Sequence, residues 1–241
     1  MSHSNPKLYV YISRGKLEEN FGQYLKKYDN FALVMNVHLI TELTHRLEMD
    51  LPGIMAQKNM MSYPYDIFRP RDPDLDFIPA SVLILLFPQN DSWHFFLTKR
   101  SESVDHHKGQ ISLPGGVIEK GESKKEAAIR ETNEEIGIKP ESISIIGSLT
   151  PFKIPVSRFK VFPYIGWVIK KPETKLQHDE VEYIFSVPVL ALIDKKNEKN
   201  KKEELEGKIR TVPYFHLNNE IVWGATSIIL SEFKSVLEEI I

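Results

Sequence analysis

Three glutamates, Glu131, Glu134 and Glu135, are spaced three and four residues apart along the chain. Residues at this spacing lie on one side of an α-helix, so a helix here would carry three carboxylates on one face. Like charges at this spacing destabilise a helix by roughly 0.2–0.5 kcal/mol per pair. Carboxylate oxygens are ligands for Mg²⁺ and Mn²⁺, which keep other positions for substrate phosphates. The spacing therefore indicates a divalent-metal site, although a solvated acidic helix face would have the same pattern.

The sequence around these glutamates predicts the helix that must carry them. Ser123 and Glu126 have the spacing of a capping box, in which each side chain accepts a hydrogen bond from the other residue's backbone N–H. Gly137 stands where a left-handed residue ends a helix. Residues four apart predict the buried stripe, namely Ala128, Thr132 and Ile136. We therefore predict a helix over Ser123–Ile136.

The glutamates are part of a longer pattern that resembles the Nudix box, Gly-x5-Glu-x7-Arg-Glu-U-x-Glu-Glu-x-Gly-U, where U is aliphatic. The fixed positions are filled by Gly116, Glu122, Arg130, Glu131, Glu134, Glu135 and Gly137. Ile138 fills the last U position, whereas Thr132 departs from the pattern at the first. At residue frequencies near ~6%, seven such identities arise by chance at fewer than roughly one in 10⁸ start points.

Resemblance to the Nudix family implies an α/β fold, namely an α/β/α sandwich with a mixed sheet. It implies hydrolysis of a nucleoside diphosphate linked to another group, with Mg²⁺ or Mn²⁺ as cofactor. The implied metal ligands are Glu131, Glu135, Glu134 and Gly116, the last through its backbone carbonyl. The resemblance also implies that Arg130 orients the glutamates and pairs with Glu122, so all of these are candidate catalytic residues. The general base is left open between Glu134 and Glu180.

A second pattern upstream of the box resembles the coenzyme A pyrophosphatase branch, Leu-Leu-Thr-x-Arg-Ser-x3-Arg-x3-Gly-x3-Phe-Pro-Gly-Gly. The matching positions are Thr98, Arg100, Ser101, Gly109, Pro114, Gly115 and Gly116. Asp105 replaces an arginine and Leu113 replaces the phenylalanine. Asp105 reverses a charge near a polyanionic ligand, and the cationic side chains next to it could compensate. The resemblance implies substrate contacts by Arg100, Ser101, His107, Lys108, Gly115 and Gly116.

The implied reaction is hydrolysis of the pyrophosphate of coenzyme A or acyl-CoA to 3′,5′-ADP and (acyl-)4′-phosphopantetheine. One alternative is a Nudix pyrophosphatase for ADP-ribose, NADH or another nucleoside diphosphate derivative, which Asp105 favours. A second alternative is a non-catalytic module of the same fold that binds a nucleotide. The intact glutamates argue against that second alternative.

The rest of the chain predicts the elements that position these residues. Ala80–Phe87 and Trp93–Thr98 predict a hairpin around the turn Gln89–Ser92. Further strands are predicted at Ser142–Leu149, Phe159–Ile169, Val181–Phe185, Arg210–His216 and Glu220–Ile221. Further helices are predicted at Gly15–Lys27, Phe31–Met49, Val187–Leu192 and Thr226–Glu239. We interpret the charged stretch Asp194–Lys208 as a solvated loop. We divide the chain into a helical extension with its linker at 1–75 and a Nudix domain at 76–241.

Composition excludes several classes of protein. Of 241 residues, 31 are Lys or Arg and 33 are Asp or Glu, which excludes a strongly basic nucleic-acid binder. The absence of cysteine excludes disulfides, thiolate metal sites and a cysteine nucleophile. No apolar run approaches the ~20 residues that span a bilayer, and no signal-peptide core is present. We expect a cytoplasmic protein with a small-molecule substrate, without nucleic-acid or membrane partners; if it oligomerises, we expect a homodimer.

Overall fold

The structure is a computed structural model that describes residues 31–63, 76–102, 109–205 and 207–241. The helix predicted at Gly15–Lys27 lies outside the described residues. Asp105, His107 and Lys108 also lie outside the described residues. Compensation of the Asp105 charge by its cationic neighbours therefore stays a prediction. None of the described helices is both long enough and apolar enough to span a membrane.

The described residues form five helices and eleven strands. The helices are α1 (Phe31–Leu47), α2 (Ile54–Gln57), α3 (Lys124–Ile136), α4 (Val189–Ile193) and α5 (Gly224–Glu238), with 3-10 turns at Lys58–Met60, Pro140–Ser142 and Lys195–Asn197. The strands are β1 (Ile78–Gln89), β2 (Ser92–Arg100), β3 (Ile111–Ser112), β4 (Gly115–Val117), β5 (Ser144–Ser148), β6 (Phe152–Ile154), β7 (Phe159–Trp167), β8 (Val181–Pro188), β9 (Glu198–Leu205), β10 (Lys208–Leu217) and β11 (Glu220–Trp223).

Eight of the strands form one mixed sheet. Its central order is β3-β2-β1-β7-β5, while β4 pairs with β1, β6 with β7 and β8 with β2. The strands β1 and β7 are parallel, whereas β1 and β2 form the predicted antiparallel hairpin. Its turn residues Asn90 and Asp91 have φ of 48° and 55°, as a two-residue hairpin loop requires. The remaining strands form a second sheet in the order β11-β10-β9.

Strand β1 separates two apolar cores, and this makes the structure a sandwich. Successive side chains of a strand point to opposite faces. Leu85 and Phe87 pack on one face with Ile136 of α3, and Ile84 and Leu86 pack on the other face in the core that also contains α5. Burial on both faces explains why β1 reads as a continuous apolar run. The predicted α/β/α sandwich with a mixed sheet is confirmed.

The segment before the sheet packs in the same core. Ile40 and Leu43 of α1 and Met60 belong to the core cluster on the α5 side of the sheet. The Glu232 carboxylate of α5 is fully buried, and its four hydrogen bonds come from Gly53 N at 3.1 Å, Gln57 Nε2 at 2.8 Å, Thr150 N at 3.2 Å and Thr150 Oγ1 at 2.6 Å. This carboxylate therefore joins the segment around α2 to both α5 and the sheet. The proposed division at residues 75 and 76 stays a prediction.

The interpretation of Asp194–Lys208 as a solvated loop was wrong. Residues 198–205 form β9, which pairs with β10 along its whole length. Glu203 lies opposite Arg210 and pairs with it at 2.7 Å, and the ammonium of Lys201 lies 4.7 Å from the ring centre of Trp223. A strand at a sheet edge can thus be stabilised by backbone hydrogen bonds and cross-strand charge pairs, without an apolar pattern.

Most other predicted elements are confirmed, with boundaries shifted by a few residues. The predicted helix Val187–Leu192 begins only at Val189, because Val187 and Pro188 still pair with β2 as the end of β8. The sequence did not predict the short strands β3, β4 and β6. They have two or three residues each, which is too few for a periodic pattern.

Candidate active site

Helix α3 begins and ends as its sequence predicts. The Ser123 hydroxyl accepts from the Glu126 backbone N–H at 3.2 Å, and the Glu126 carboxylate accepts from the Ser123 N–H at 2.9 Å. Gly137 ends the helix at φ 73° and ψ 16°. Thr132 is fully buried and donates its hydroxyl to the Ala128 carbonyl at 2.7 Å, so it can occupy an aliphatic position. The helix is therefore rigidly defined at both ends.

The three glutamates of α3 lie at three different depths. The exposed fraction of the side chain is 2% for Glu135, 14% for Glu131 and 54% for Glu134. Burial raises the pKa of Glu135 to about 8 and also raises the pKa of Glu131. Glu135 Oε2 is buried and has no hydrogen-bond partner among the described residues. A buried carboxylate oxygen without a donor is costly, and a cation would remove that cost.

Arg130 holds the loop before α3 against the helix. Its guanidinium donates to Glu122 Oε1 at 2.9 Å, to Glu131 Oε1 at 2.9 Å and to Glu134 Oε2 at 2.8 Å. It also donates to the Val117 carbonyl at 3.1 Å. These contacts raise the pKa of Arg130, and the hydrogen bond from Arg130 lowers the pKa of Glu122. The geometry agrees with the expected pairing of Arg130 and Glu122; the Val117 carbonyl was not predicted, since a backbone acceptor has no residue-type signal.

Gly116 allows the close approach of a carboxylate to the backbone of β4. A Cβ atom at this position would lie 2.4 Å from Glu131 Oε1, well inside contact distance. A Cβ atom at Gly115 would lie 2.3 Å from the Ser81 carbonyl oxygen. A side chain at Gly115 is blocked by backbone atoms, whereas a side chain at Gly116 would have to displace the Glu131 carboxylate. The role of Gly116 as a metal ligand stays a prediction.

Strand β2 brings the upstream pattern to the same place. Arg100 is its last residue, and Arg100 Nη1 lies 3.8 Å from Glu135 Oε1. The Ser101 N–H donates to the Glu180 carbonyl at 2.8 Å, which joins the end of β2 to the residue before β8. The Glu180 charge raises the pKa of both Glu131 and Glu135. Arg100 and Glu180 therefore both lie beside the box glutamates.

The structure thus gathers most of the predicted site residues around one end of the sheet. Those it brings together are Arg100, Ser101, Gly115, Gly116, Glu122, Arg130, Glu131, Glu134 and Glu135. The site is rich in oxygen donors, which suits a hard cation such as Mg²⁺ or Mn²⁺. In the described part of the chain, no three His, Asp or Glu side chains are already gathered for one ion. Arg130 engages Oε1 of Glu131 and Oε2 of Glu134, which fixes one oxygen of each carboxylate.

Known proteins match this chain over the same region. The NUDIX domain model matches residues 78–214. Nudix hydrolase 15, mitochondrial, of Arabidopsis thaliana is 34% identical over 181 residues, which cover 70% of this chain and 62% of that protein. Nudix hydrolase 3 of Caenorhabditis elegans is 32% identical over 197 residues, covering 75% and 82%.

Nudix hydrolase 22, chloroplastic, of Arabidopsis thaliana is 30% identical over 166 residues, which cover 66% of this chain. The chain spans 62% and 55% of the lengths of the two Arabidopsis relatives. None of the three names states a substrate. The match therefore concerns the domain and its site rather than a particular ligand.

Proposed function

The chain belongs to the Nudix family, and we propose that it is a pyrophosphohydrolase acting on coenzyme A or acyl-CoA. The reaction would release 3′,5′-ADP and (acyl-)4′-phosphopantetheine and would depend on Mg²⁺ or Mn²⁺. Water would attack one phosphorus of the pyrophosphate, and the bridging oxygen would leave with the other phosphate.

One observation carries this proposal: the approach of Arg100 Nη1 to Glu135 Oε1 at 3.8 Å. Arg100 belongs to the upstream pattern typical of the coenzyme A branch, and Glu135 belongs to the box. The two patterns are separated along the chain, yet their charged ends meet at one site. A guanidinium there can bind phosphate oxygens with two parallel hydrogen bonds. This supports a single site that uses both patterns for one substrate.

The residues of the site would divide the work as follows. Glu131, Glu134 and Glu135 would hold Mg²⁺ or Mn²⁺, which when bound neutralises pyrophosphate charge and makes a bound water more acidic. Arg130 would keep the glutamates and the loop before α3 in place through Glu122. The glycine backbone at Gly115 and Gly116 would let phosphates approach closely.

Two residues are candidates for the base that accepts the proton of the attacking water. Glu134 is 54% exposed and therefore accessible to solvent. Glu180 lies close enough to Glu131 and Glu135 for its charge to raise the pKa of both. We propose Glu180 ahead of Glu134, because Arg130 already engages Glu134 at 2.8 Å. Glu180→Gln should then lower kcat, and a parent-like kcat in this variant would exclude Glu180 as the base.

A panel of pyrophosphates tests the substrate. The purified chain is assayed with Mg²⁺ or Mn²⁺ on coenzyme A, acetyl-CoA, ADP-ribose and NADH, and products are identified by mass. We expect the highest kcat/KM for coenzyme A or its acyl form. A severalfold preference for ADP-ribose or NADH would overturn the coenzyme A proposal and leave the pyrophosphohydrolase. Binding without turnover of any of the four would support a non-catalytic nucleotide-binding module.

A further inference from the structure

Three lysines and two phenylalanines form a cluster beside the start of α3. We call it the lysine–phenylalanine cluster; it consists of Lys124, Lys153, Lys160, Phe77 and Phe162. The ammonium groups of Lys124 and Lys160 lie 4.1 Å and 5.2 Å from the ring centre of Phe162. The ammonium group of Lys153 lies 4.9 Å from the ring centre of Phe77. Each ring attracts its cation, which limits the freedom of these long side chains.

The fold places these three cations at electrostatically unfavourable positions. Lys153 and Lys160 are directly opposite each other on β6 and β7, and like charges in opposite positions destabilise a sheet. Lys124 is the first residue of α3, where the helix dipole disfavours a cation. The lysine ion pairs within the described residues are formed by Lys99, Lys201 and Lys234, and none of them involves the cluster. An anion bound at the cluster would remove this repulsion.

The cluster adjoins the candidate active site. Ser81 of β1 is paired with Gly116 of β4 on one side and with Phe162 of β7 on the other. Directly opposite residues share a face of the sheet, and a Cβ at Gly116 would point to Glu131 of α3. Phe162 is therefore on the α3 face, two strand spacings, or roughly 10 Å, from Gly116. Lys153 and Lys124 are exposed at this position and accessible to a ligand.

We propose that the lysine–phenylalanine cluster binds a phosphomonoester of the substrate, separate from the pyrophosphate that is hydrolysed. The inference rests on the proposed pyrophosphohydrolase function and adds the group that selects the substrate. Lysine ammonium groups act as point charges with several donors, which suits a phosphate dianion. The ring of Phe162 already has Lys124 above it at 4.1 Å, so its role is to hold the cation rather than to stack on a base.

Binding of a phosphomonoester at the cluster would distinguish two classes of substrate. Coenzyme A carries a 3′-phosphomonoester in addition to its pyrophosphate, whereas dephospho-coenzyme A and ADP-ribose carry only the pyrophosphate. The cluster should therefore favour the first class through KM and leave kcat almost unchanged, because it binds a group that does not react.

The test compares hydrolysis of coenzyme A with that of dephospho-coenzyme A. The variant Lys153→Gln/Lys160→Gln is matched by Lys195→Gln/Lys196→Gln, which removes two exposed charges in the 3-10 turn before β9. We expect the first variant to raise KM for coenzyme A about tenfold, with KM for dephospho-coenzyme A and both kcat values within twofold of the parent. The control variant should match the parent for both substrates. Equal changes for both substrates in the first variant, or no change at all, would overturn the inference.

A binding measurement keeps the inference separate from the proposed function. Calorimetric titration with 3′,5′-ADP and 5′-AMP requires no turnover. We expect the parent chain to bind 3′,5′-ADP at least fivefold more tightly than 5′-AMP, and the Lys153→Gln/Lys160→Gln variant to lose this preference. If coenzyme A is not hydrolysed but this preference is found, the inference stands and the coenzyme A proposal fails. If coenzyme A is hydrolysed and the preference is absent or survives in the variant, the inference fails alone.

Discussion

The guanidinium of Arg130 donates to both carboxylate oxygens of Glu122, through Nε at 2.9 Å and Nη2 at 3.1 Å. This two-point contact joins α3 to the loop before it, and the same guanidinium also contacts Glu131 and Glu134. Two parallel bonds fix both the distance and the plane of the pair. The catalytic proposal therefore depends on a geometry that only arginine provides.

We predict that Arg130→Lys lowers kcat by roughly 100-fold while the chain stays folded, because a lysine cannot make the two-point contact and engage the other glutamates. Steady-state kinetics with circular dichroism measure both parts. Arg46→Lys is the matched control, since Arg46 pairs with Glu239 away from the site. Parent-like kcat in Arg130→Lys would show that the contact is dispensable.

We predict that Glu135→Gln abolishes hydrolysis, with kcat reduced at least about 100-fold, because a metal-binding oxygen is lost. The same variant should keep or raise the metal-free Tm, since a neutral amide replaces a carboxylate that is 2% exposed and has a raised pKa. Glu141→Gln in the exposed turn after α3 is the control and should match the parent. An active Glu135→Gln variant would exclude Glu135 as a metal ligand.

We predict that Gly116→Ala loses activity by about 100-fold or more, because the new Cβ would lie 2.4 Å from Glu131 Oε1 and displace that carboxylate. Isothermal titration with Mn²⁺ should show weaker metal binding in the same variant. Val117→Ala, at the adjacent position that is 44% exposed, should keep both properties. Unchanged Mn²⁺ affinity in Gly116→Ala would contradict the close approach of Glu131.

We predict that Glu232→Gln lowers the free energy of unfolding by about 2–4 kcal/mol, since hydrogen bonds to a charged group contribute roughly 1.5–3 kcal/mol each. An amide would also turn N–H donors toward donors of Gly53, Gln57 or Thr150. Urea unfolding gives the value, and the exposed Glu239→Gln serves as comparison. A loss no larger than that of the comparison variant would mean that this buried carboxylate does not anchor the segment around α2.

We predict a loss of stability below neutral pH through His94, which is 7% exposed. Burial, with a smaller effect of the Lys171 charge, lowers the pKa of His94 below its usual 6.5. The unfolded chain therefore binds the proton more readily than the folded chain does. The contribution of neutral His94 to the free energy of unfolding is fully present above about pH 6.5 and is lost as the pH falls toward the lowered pKa. His94→Asn should flatten the fall of Tm between pH 7 and pH 5, whereas the exposed His178→Asn should not. Equal slopes in parent and His94→Asn would contradict this.

Helix α3 shows which parts of the site could be predicted from the sequence. Its cap, its terminal glycine, its buried stripe and the spacing of its glutamates all depend on contacts within a few residues. Such local interactions follow directly from residue type and order. The depth of each glutamate does not, because Glu135 is buried by the sheet that packs against the helix and Glu134 is not.

Strand β9 and the lysine–phenylalanine cluster could not be predicted from the sequence. The charged residues of β9 have no apolar pattern, and only the partner strand β10 supplies their hydrogen bonds and opposite charges. Lys153 and Lys160 become neighbours only because β6 and β7 pair, and Lys124 joins them only because α3 packs on that face. These relations involve residues that are distant along the chain.

The sequence by itself thus determined the helix, the box residues and the chemistry that a cluster of glutamates favours. The tertiary structure alone decided that Arg100 lies 3.8 Å from Glu135, that Glu180 is close enough to shift the pKa of two glutamates, and that three lysines meet beside α3. The physical reason is the distance along the chain over which each interaction acts. Capping and helical spacing act within one or two turns, whereas burial and charge proximity depend on which strands pair and which helix covers them.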